Sequence, residues 1–270
     1  MELQLDGKVA IVTGGSMGIG KACVEAFASQ RVRVATCARG IDALRQVTEE
    51  ISAKTETEVL AVQADVTKAE DVKHLMAAAY KKFGRIDILV HSAVNFASGN
   101  FSELTDENWW NHFDTKVIGC VRCAREALPY MRDNKWGRII NMAGGAARSG
   151  GGTAGGTNAA IINFTKVLSD EVAKDGITVN AIHPVTRGLG RGGEERDGAF
   201  MRLEEHARRR GVSIEEAMAE NIRSFQERPG LHAEGSDTAS MVLFLSSDKA
   251  SAITGQTLWA SGSLSSAVYY

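Results

Sequence analysis

Short apolar runs alternate with amphipathic stretches along the whole chain. The apolar runs, which are typical of strands buried on both faces, lie at 9–13, 32–37, 59–65, 86–91, 137–141, 177–182 and 256–260. Stretches with apolar residues at helical spacing lie at 17–29, 41–54, 68–83, 106–131, 158–173 and 236–245. Alternating strands and helices predict a parallel sheet with helices on both faces. We therefore predict an α/β fold in which residues 1–270 form a single doubly wound domain with a seven-stranded parallel sheet.

Polar patterns predict where some of the helices begin. Thr67 and Ser213 are each followed three residues later by a glutamate, which is the pattern of a capping box, and Thr105 precedes the longest helix as a cap. Ser213 belongs to a charged segment at 186–230 that starts with several glycines and follows the sixth strand. Loops at that edge of such sheets carry substrate contacts, so we predict a lid-like helical insertion. The alternative is that this segment is a solvated surface loop without a role in substrate binding.

Composition and charge exclude several classes of function. The 31 Lys and Arg nearly balance the 33 Asp and Glu, so no basic excess indicates a nucleic-acid partner or a membrane surface. The N-terminus lacks the apolar core of a signal peptide and no run is long enough to span a bilayer, so we expect a cytoplasmic protein. The four cysteines are expected to be free thiols. The Cys120-x-x-Cys123 pair lacks the four ligands of a structural zinc site, so we predict no metal.

A glycine-rich loop joins the first strand to the first helix, with the sequence Thr13-Gly14-Gly15-Ser16-Met17-Gly18-Ile19-Gly20. Small residues let a backbone approach a pyrophosphate, and the helix N-terminus offers free N–H groups and a favourable dipole. The strand–loop–helix context is typical of a Rossmann-type dinucleotide site, although a tight turn without a ligand is the alternative. The residues predicted to contact the dinucleotide are Gly14, Ser16, Met17, Gly18, Ile19 and Gly20.

From about residue 5 to residue 262 the chain resembles the short-chain dehydrogenase/reductase family. Besides the glycine loop, the matching motifs are Ala64-Asp65-Val66, Gly137-Arg-Ile-Ile-Asn141, Val179-Asn-Ala-Ile-x-Pro184 and the ending from Leu243 to Gln256. These motifs cover nearly the whole chain, and together they imply the Rossmann-type doubly wound fold predicted from the pattern.

The resemblance implies that Asp65 and Val66 contact the adenine ring, and that the end of the second strand discriminates between cofactors. An acidic residue there would accept hydrogen bonds from a ribose 2′-hydroxyl. Arg39 occupies that turn instead, and a guanidinium can meet a 2′-phosphate bidentately. We therefore predict NADP(H) rather than NAD(H). Further candidates for cofactor contacts, after the fourth and sixth strands, are Ser92, Pro184 and Thr186.

In the family, a Ser, a Tyr and a Lys assist hydride transfer, with the last two spaced Tyr-x-x-x-Lys and an Asn on the preceding long helix. The Tyr transfers the proton, the Lys lowers the pKa of the Tyr, and the Ser orients the carbonyl. Matched residue by residue, these positions hold Gly144 for Ser, Ala154 for Tyr, Asn158 for Lys and Lys116 for Asn. The chain has no tyrosine between Met131 and Val268, so we predict a divergent member that lacks this catalytic set.

Two ionisable residues are the candidates to replace it. Lys116 is expected to face the cleft, where its ammonium could partly replace the missing Lys, polarise a carbonyl or bind a carboxylate; a surface lysine is the alternative. His91 ends the fourth strand at the carboxyl edge of the sheet, where ligands bind, and a histidine titrates near neutral pH. A hydrogen-bonded structural histidine is the alternative for His91. His112 and Asp114 are expected to be solvated.

The leading hypothesis for function is an oxidoreductase-like protein that binds NADP(H) and acts on a small carbonyl or alcohol with atypical chemistry. One alternative is a lyase, dehydratase or hydrolase that reuses the cleft without redox chemistry. Another is a cofactor-binding pseudoenzyme. The expected partner is a small-molecule substrate, with no nucleic acid and no membrane. The resemblance also implies a homodimer or homotetramer built on the long helices, the helix that starts at Asn158 and the final strand.

Overall fold

The computed structural model describes residues 2–95, 101–144, 152–184, 204, 207–217, 219–220 and 235–260. Seven strands lie within them: β1 (Val9–Thr13), β2 (Arg33–Ala38), β3 (Val59–Gln63), β4 (Ile88–His91), β5 (Gly137–Met142), β6 (Ile177–Pro184) and β7 (Thr257–Ala260). All their pairings are parallel, in the order β3-β2-β1-β4-β5-β6-β7, which confirms the predicted sheet. The strand order reverses between β1 and β4, and sheets of this kind bind ligands at the carboxyl edge of that point.

Helices cover both faces of the sheet. They are α1 (Gly18–Ser29), α2 (Ile41–Thr55), α3 (Ala69–Phe83), α4 (Asp106–Phe113), α5 (Gly119–Asp133), α6 (Gly152–Val172) and α7 (Gly235–Leu245). Successive side chains of a strand point to opposite faces. Val9 and Ile11 therefore join a core formed with α3, α5 and α6, whereas Ala10 and Val12 join a second core formed with α1, α2 and α7.

The long helix predicted over 106–131 is interrupted at its middle. Between α4 and α5, Asp114–Ile118 form a π-helical turn, and α5 continues to Asp133. A π turn adds one residue to a helical turn, which apolar spacing does not reveal. The predicted cap at Thr105 is confirmed, because its hydroxyl accepts from Asn108 N at 3.3 Å and Asn108 Oδ1 accepts from Thr105 N at 3.0 Å.

The capping prediction at Thr67 is wrong. Helix α3 begins at Ala69 after Lys68, and the Thr67 hydroxyl donates to Asp65 Oδ1 at 2.8 Å. Because Lys68 is the N-cap, Glu70 stands at the second helical position and not at the third, where a capping box needs it.

The capping box predicted at Ser213, within the predicted lid, is confirmed. Ser213 N donates to a Glu216 carboxylate oxygen at 3.1 Å, and Glu216 N donates to Ser213 Oγ at 3.1 Å. Most of segment 186–230, including Thr186, lies outside the described residues, so the lid remains a prediction. None of the described helices has the length and apolar character needed to cross a membrane.

Candidate active site

The glycine loop between β1 and α1 is packed so closely that side chains at two glycines would collide with backbone. Gly14 has a φ of +74°, and a Cβ there would lie 3.0 Å from the Cα of Ala93. A Cβ on Gly20 would lie 2.1 Å from the carbonyl oxygen of Gly14. Glycine is therefore required at both positions, by backbone conformation at the first and by close approach at both.

The outer side of the same loop is open. A Cβ on Gly18 would meet nothing within 4 Å, Met17 is 41% exposed, and Ser16 and Ile19 are half-buried. Helix α1 begins here without a side-chain cap and without an acidic residue in its first turn. Its first N–H groups and the positive end of its dipole are thus available, and these features fit a pyrophosphate.

Asp65 and Val66, the predicted adenine contacts, follow β3 at the carboxyl edge of the sheet. Asp65 Oδ1 accepts from Thr67 N at 3.0 Å and from its hydroxyl at 2.8 Å. Burial raises the pKa of Asp65, but the Thr67 hydrogen bonds and the charges of Arg39 and Lys68 outweigh burial and lower that pKa below its usual range. The carboxylate therefore stabilises the turn after β3, and the adenine contact remains a prediction.

Arg39 lies in the turn that joins β2 to α2. It is exposed, and its charge acts on Asp65 across the neighbouring strand. Helix α2 starts two residues later with Gly40 as an N-cap that makes no side-chain hydrogen bond. A guanidinium beside an uncapped helix N-terminus forms a positive corner with the chemistry of a phosphate site.

His91 is fully buried behind the glycine loop. Thr13 Oγ1 accepts from the backbone N–H groups of Ser92 and Ala93, each at 3.1 Å, so its single hydrogen donates to His91 Nδ1 at 3.1 Å. The ring proton is therefore on Nε2, for which no described residue supplies a hydrogen bond of normal geometry. Burial, and then the nearby charge of Lys116, lower the pKa of His91 to about 4. This position suits a neutral structural histidine better than a proton carrier.

Lys116 extends from the π turn to the carboxyl end of β5. Its side chain is 9% exposed, and its Nζ donates to the carbonyl oxygen of Ala143 at 3.1 Å. Burial lowers the pKa of Lys116 to about 8, and the electrostatic interaction with the neighbouring Cys120 opposes the change only in part. Lys116 is thus a buried lysine at the end of β5 and not a surface lysine, and its catalytic role stays a prediction.

His112 is a site residue that the sequence reasoning missed. It is 1% exposed rather than solvated, and its Nδ1 lies 2.7 Å from the Thr153 hydroxyl. Burial, followed by the charge of Lys116, lowers the pKa of His112 to about 4. Its position four residues before Lys116, on the same side of a helix, could have indicated it. Asp114, which was also expected to be solvated, has a side chain that is 40% exposed and pairs with Arg122 at 2.7 Å.

Gly144 and Asn158 face each other. A Cβ on Gly144 would lie 2.5 Å from Asn158 Nδ2, and Asn158 is 3% exposed. Ala154 is half-buried on the first turns of α6, next to the Thr153 that contacts His112. Gly144 and Asn158, matched by the resemblance to the family's Ser and Lys, therefore lie next to Ala143, which Lys116 contacts.

The remaining predicted contacts are only partly described. Ser92 is half-buried beside the glycine loop, and Pro184 is buried at the end of β6, in register with Ala260. Within the described ranges, no group of three or more His, Cys, Asp or Glu side chains is arranged to hold a metal ion.

Comparisons with known proteins extend over nearly the whole chain. A family model described as short chain dehydrogenase matches residues 8–187. A 3-oxoacyl-[acyl-carrier-protein] reductase, FabG, of Staphylococcus epidermidis is 32% identical over 261 residues, which cover 95% of this chain and 98% of that protein.

Two solved structures share the fold. L-Sorbose reductase from Gluconobacter frateurii, complexed with NADPH and L-sorbose, superposes with a TM-score of 0.88 at 28% identity and covers 99% of this chain and 100% of its own. Actinorhodin polyketide ketoreductase with NADPH gives a TM-score of 0.85 at 30% identity and covers 96% of this chain and 98% of its own.

Proposed function

The chain belongs to the short-chain dehydrogenase family of oxidoreductases, and from this premise we propose that it interconverts a small carbonyl compound and its alcohol with NADP(H). Its proton-transferring group is Lys116 in place of a tyrosine. One observation carries the proposal: a buried ammonium lies at the carboxyl end of β5, bonded to the carbonyl oxygen of Ala143.

The glycine loop and Arg39 support the choice of cofactor. The open side of Gly18 and the uncapped α1 would hold the pyrophosphate, and Arg39 beside the start of α2 would hold a 2′-phosphate. The two similar structures that contain NADPH agree with this choice. When bound, this cofactor supplies or accepts the hydride.

Lys116 supplies the proton. Its ammonium uses one N–H on Ala143 and has two further donors, which can bind a carbonyl oxygen and then protonate the developing alkoxide. A pKa of about 8 suits this task, because the group is mostly protonated at pH 7 yet releases its proton readily. In the reverse direction the neutral amine accepts the proton of the alcohol.

In this proposal the family's Ser, Tyr and Lys are absent. Gly144, Ala154 and Asn158 occupy their positions and carry no group that can donate a proton to an alkoxide. The close approach of Gly144 to Asn158 supports the substitution, because the space of the Ser side chain is filled by the amide. His91, whose pKa is lowered by burial and raised in part by backbone hydrogen bonding to Thr115 and Lys116 of the π turn, is assigned to holding the end of β4 against that turn.

Two further parts of the proposal concern segments around the site. Segment 186–230 is a lid within the single domain 1–270; its described portion reaches the residues after β4 through Arg209 and Glu103, whose charged atoms lie 3.7 Å apart. The protein is a homodimer or homotetramer whose subunits meet through the long helices. Large apolar side chains on α4, the π turn and α6 support that contact: Trp110 is 74%, Ile118 43% and Val167 59% exposed.

The first test is calorimetric binding of NADPH, NADH and NADP⁺ to protein stripped of ligand, followed by NADPH consumption with a panel of small ketones and aldehydes. We expect NADPH to bind most tightly and at least one carbonyl compound to be reduced. No binding of any form would overturn the proposal. Turnover without cofactor would support a lyase, dehydratase or hydrolase, and binding without any turnover would support a pseudoenzyme.

A further inference from the structure

Lys116 is a buried cation with no carboxylate partner in the described part of the chain. Its side chain is 9% exposed, and its hydrogen bond goes to a neutral acceptor, the carbonyl oxygen of Ala143. Two of its three N–H donors point to no described group. A buried charge is costly unless an opposite charge compensates it. The site therefore has the electrostatics of a pocket for an anion.

The ionisable neighbours of Lys116 provide no negative charge. Asp114, two residues away, pairs with Arg122 at 2.7 Å. Burial raises the pKa of the Cys120 thiol, which therefore stays neutral. His91 and His112 have pKa values lowered to about 4, first by burial and then by Lys116, so they are neutral at pH 7 as well. The described cluster carries a net charge of one positive unit.

Asn158 gives a second, independent indication of a ligand. Its side chain is 3% exposed, and its Oδ1 has no hydrogen-bond partner among the described residues. Asn158 meets Gly144, and Lys116 is bonded to the preceding residue, Ala143, so the two side chains converge on consecutive residues at the end of β5. The site offers cationic donors beside a neutral acceptor, and a buried acceptor of this kind is ordinarily satisfied.

We propose that the substrate of this site is a 2-oxo acid and its product a 2-hydroxy acid. The carboxylate and the adjacent carbonyl oxygen share the two remaining donors of Lys116, and the hydroxyl of the product donates to Asn158 Oδ1. Reduction breaks the carbonyl π bond and forms a C–H bond with the hydride of NADPH, which is oxidised. The new O–H bond takes its proton from Lys116, and solvent restores that proton. The redox step rests on the proposed function, whereas binding of the carboxylate does not.

The test uses oxamate, a planar carboxylate with an adjacent carbonyl, and oxamide, in which a neutral amide replaces the carboxylate. The full-length protein without cofactor is labelled with ¹³C-lysine, and the Cε resonance of Lys116 is followed against pH. We expect oxamate to raise the pKa of Lys116, because it binds the protonated form about tenfold or more tightly than the neutral form. Oxamide should leave that pKa in place.

Variants provide a second measurement by calorimetry. Lys116→Met should weaken oxamate about 10- to 100-fold and change oxamide less than about threefold, whereas Lys116→Arg should keep most of the oxamate affinity. Lys166→Met is the matched control, since Lys166 is an exposed lysine of α6 paired with Asp170.

Two results would overturn the inference. One is unchanged oxamate binding in Lys116→Met. The other is a pKa of Lys116 at or above its ordinary 10.5 in ligand-free protein, because a carboxylate of the chain would then already pair with it. If oxamate does not bind while the protein reduces neutral ketones with NADPH, the proposed function stands and the proposed substrate class is wrong. If oxamate binds Lys116 but NADPH does not bind, the proposed function fails and the anion site stands.

Discussion

The two halves of the sheet build their sites from different material. The cofactor half, on the side of β1, β2 and β3, would hold the pyrophosphate with backbone groups: a loop in which Gly14 and Gly20 admit no Cβ, and the uncapped N-terminus of α1. The reaction half, on the side of β4, β5 and β6, consists of side chains from separate elements that converge on Ala143 and Gly144. A site built mainly from backbone groups depends on few side chains, whereas a side-chain site is rebuilt by a few substitutions. The second half can therefore diverge while the first persists.

One residue joins the two halves. Thr13, the last residue of β1, accepts hydrogen bonds from Ser92 and Ala93 after β4 and donates to His91. Because this hydroxyl uses both lone pairs and its hydrogen, it fixes the distance between the glycine loop and the end of β4. Changes in the reaction half can thus leave the loop undisturbed.

The largest effect should come from Lys116→Met in the reaction half. Loss of a positioned general acid costs about 100- to 10,000-fold in kcat/KM, and NADPH binding should stay within about threefold of wild type. Because the substitution removes a buried charge, the variant should be at least as stable to urea. The rates of NADPH consumption are compared with those of Lys166→Met, and equal rates in both variants would remove Lys116 from the mechanism.

The pH profile sharpens the same point. Reduction needs protonated Lys116, so kcat/KM should be level below about pH 8 and fall above it, while alcohol oxidation should rise through the same range. The measurement is the steady-state rate of both reactions between pH 6 and pH 10, a range that extends about two pH units to either side of that pKa. A wild-type profile that Lys116→Met reproduces would contradict the assignment.

Gly20→Ala should break the cofactor half. Its Cβ would lie 2.1 Å from the Gly14 carbonyl oxygen, so the loop must shift, at a cost of about 1–3 kcal/mol in the free energy of unfolding, and NADPH affinity should fall. Gly235→Ala is the control, because its nearest atom would be 3.7 Å away. Urea unfolding and calorimetry measure both. An unshifted midpoint with full NADPH affinity would show that the loop is not so tightly packed.

A serine placed at Gly144, the position that the resemblance matches to the family's serine, should destabilise the fold unless Asn158 changes too. In Gly144→Ser, the new Cβ would meet Asn158 Nδ2 at 2.5 Å, which should lower the free energy of unfolding by about 1–3 kcal/mol. Combining it with Asn158→Ala should recover much of that loss, with a coupling energy of about 0.5–3 kcal/mol. Urea unfolding of the four proteins of the cycle gives the coupling directly, and strict additivity would contradict the contact.

Arg39→Ala should discriminate between the two cofactors. Losing a charged contact to a 2′-phosphate should weaken NADPH by about 1.5–3 kcal/mol, while NADH should change by less than about twofold. Calorimetry with both nucleotides is the measurement. Equal losses for NADPH and NADH would mean that Arg39 does not select the phosphate.

Much of the molecule could be predicted because its determinants are local. The period of apolar residues specifies each buried strand, and the glycine loop is recognised from residues that are adjacent in the chain. The caps formed by Thr105 with Asn108 and by Ser213 with Glu216 are also local, because each lies within one helical turn. The local prediction that is wrong is the cap at Thr67, since the helix begins after Lys68.

The sequence by itself determined the seven parallel strands and the glycine spacing of the loop that fits a pyrophosphate. Only the tertiary structure decided which side chains meet at the end of β5. Lys116 lies in the π turn at Asp114–Ile118, which helical spacing does not reveal. From there the side chain of Lys116 extends to Ala143. The packing of α4 against α6 brings His112 into contact with Thr153. Burial of Lys116 between the elements lowers the pKa of its side chain. Contacts between residues distant in the chain depend on how the elements pack, and no local pattern encodes them.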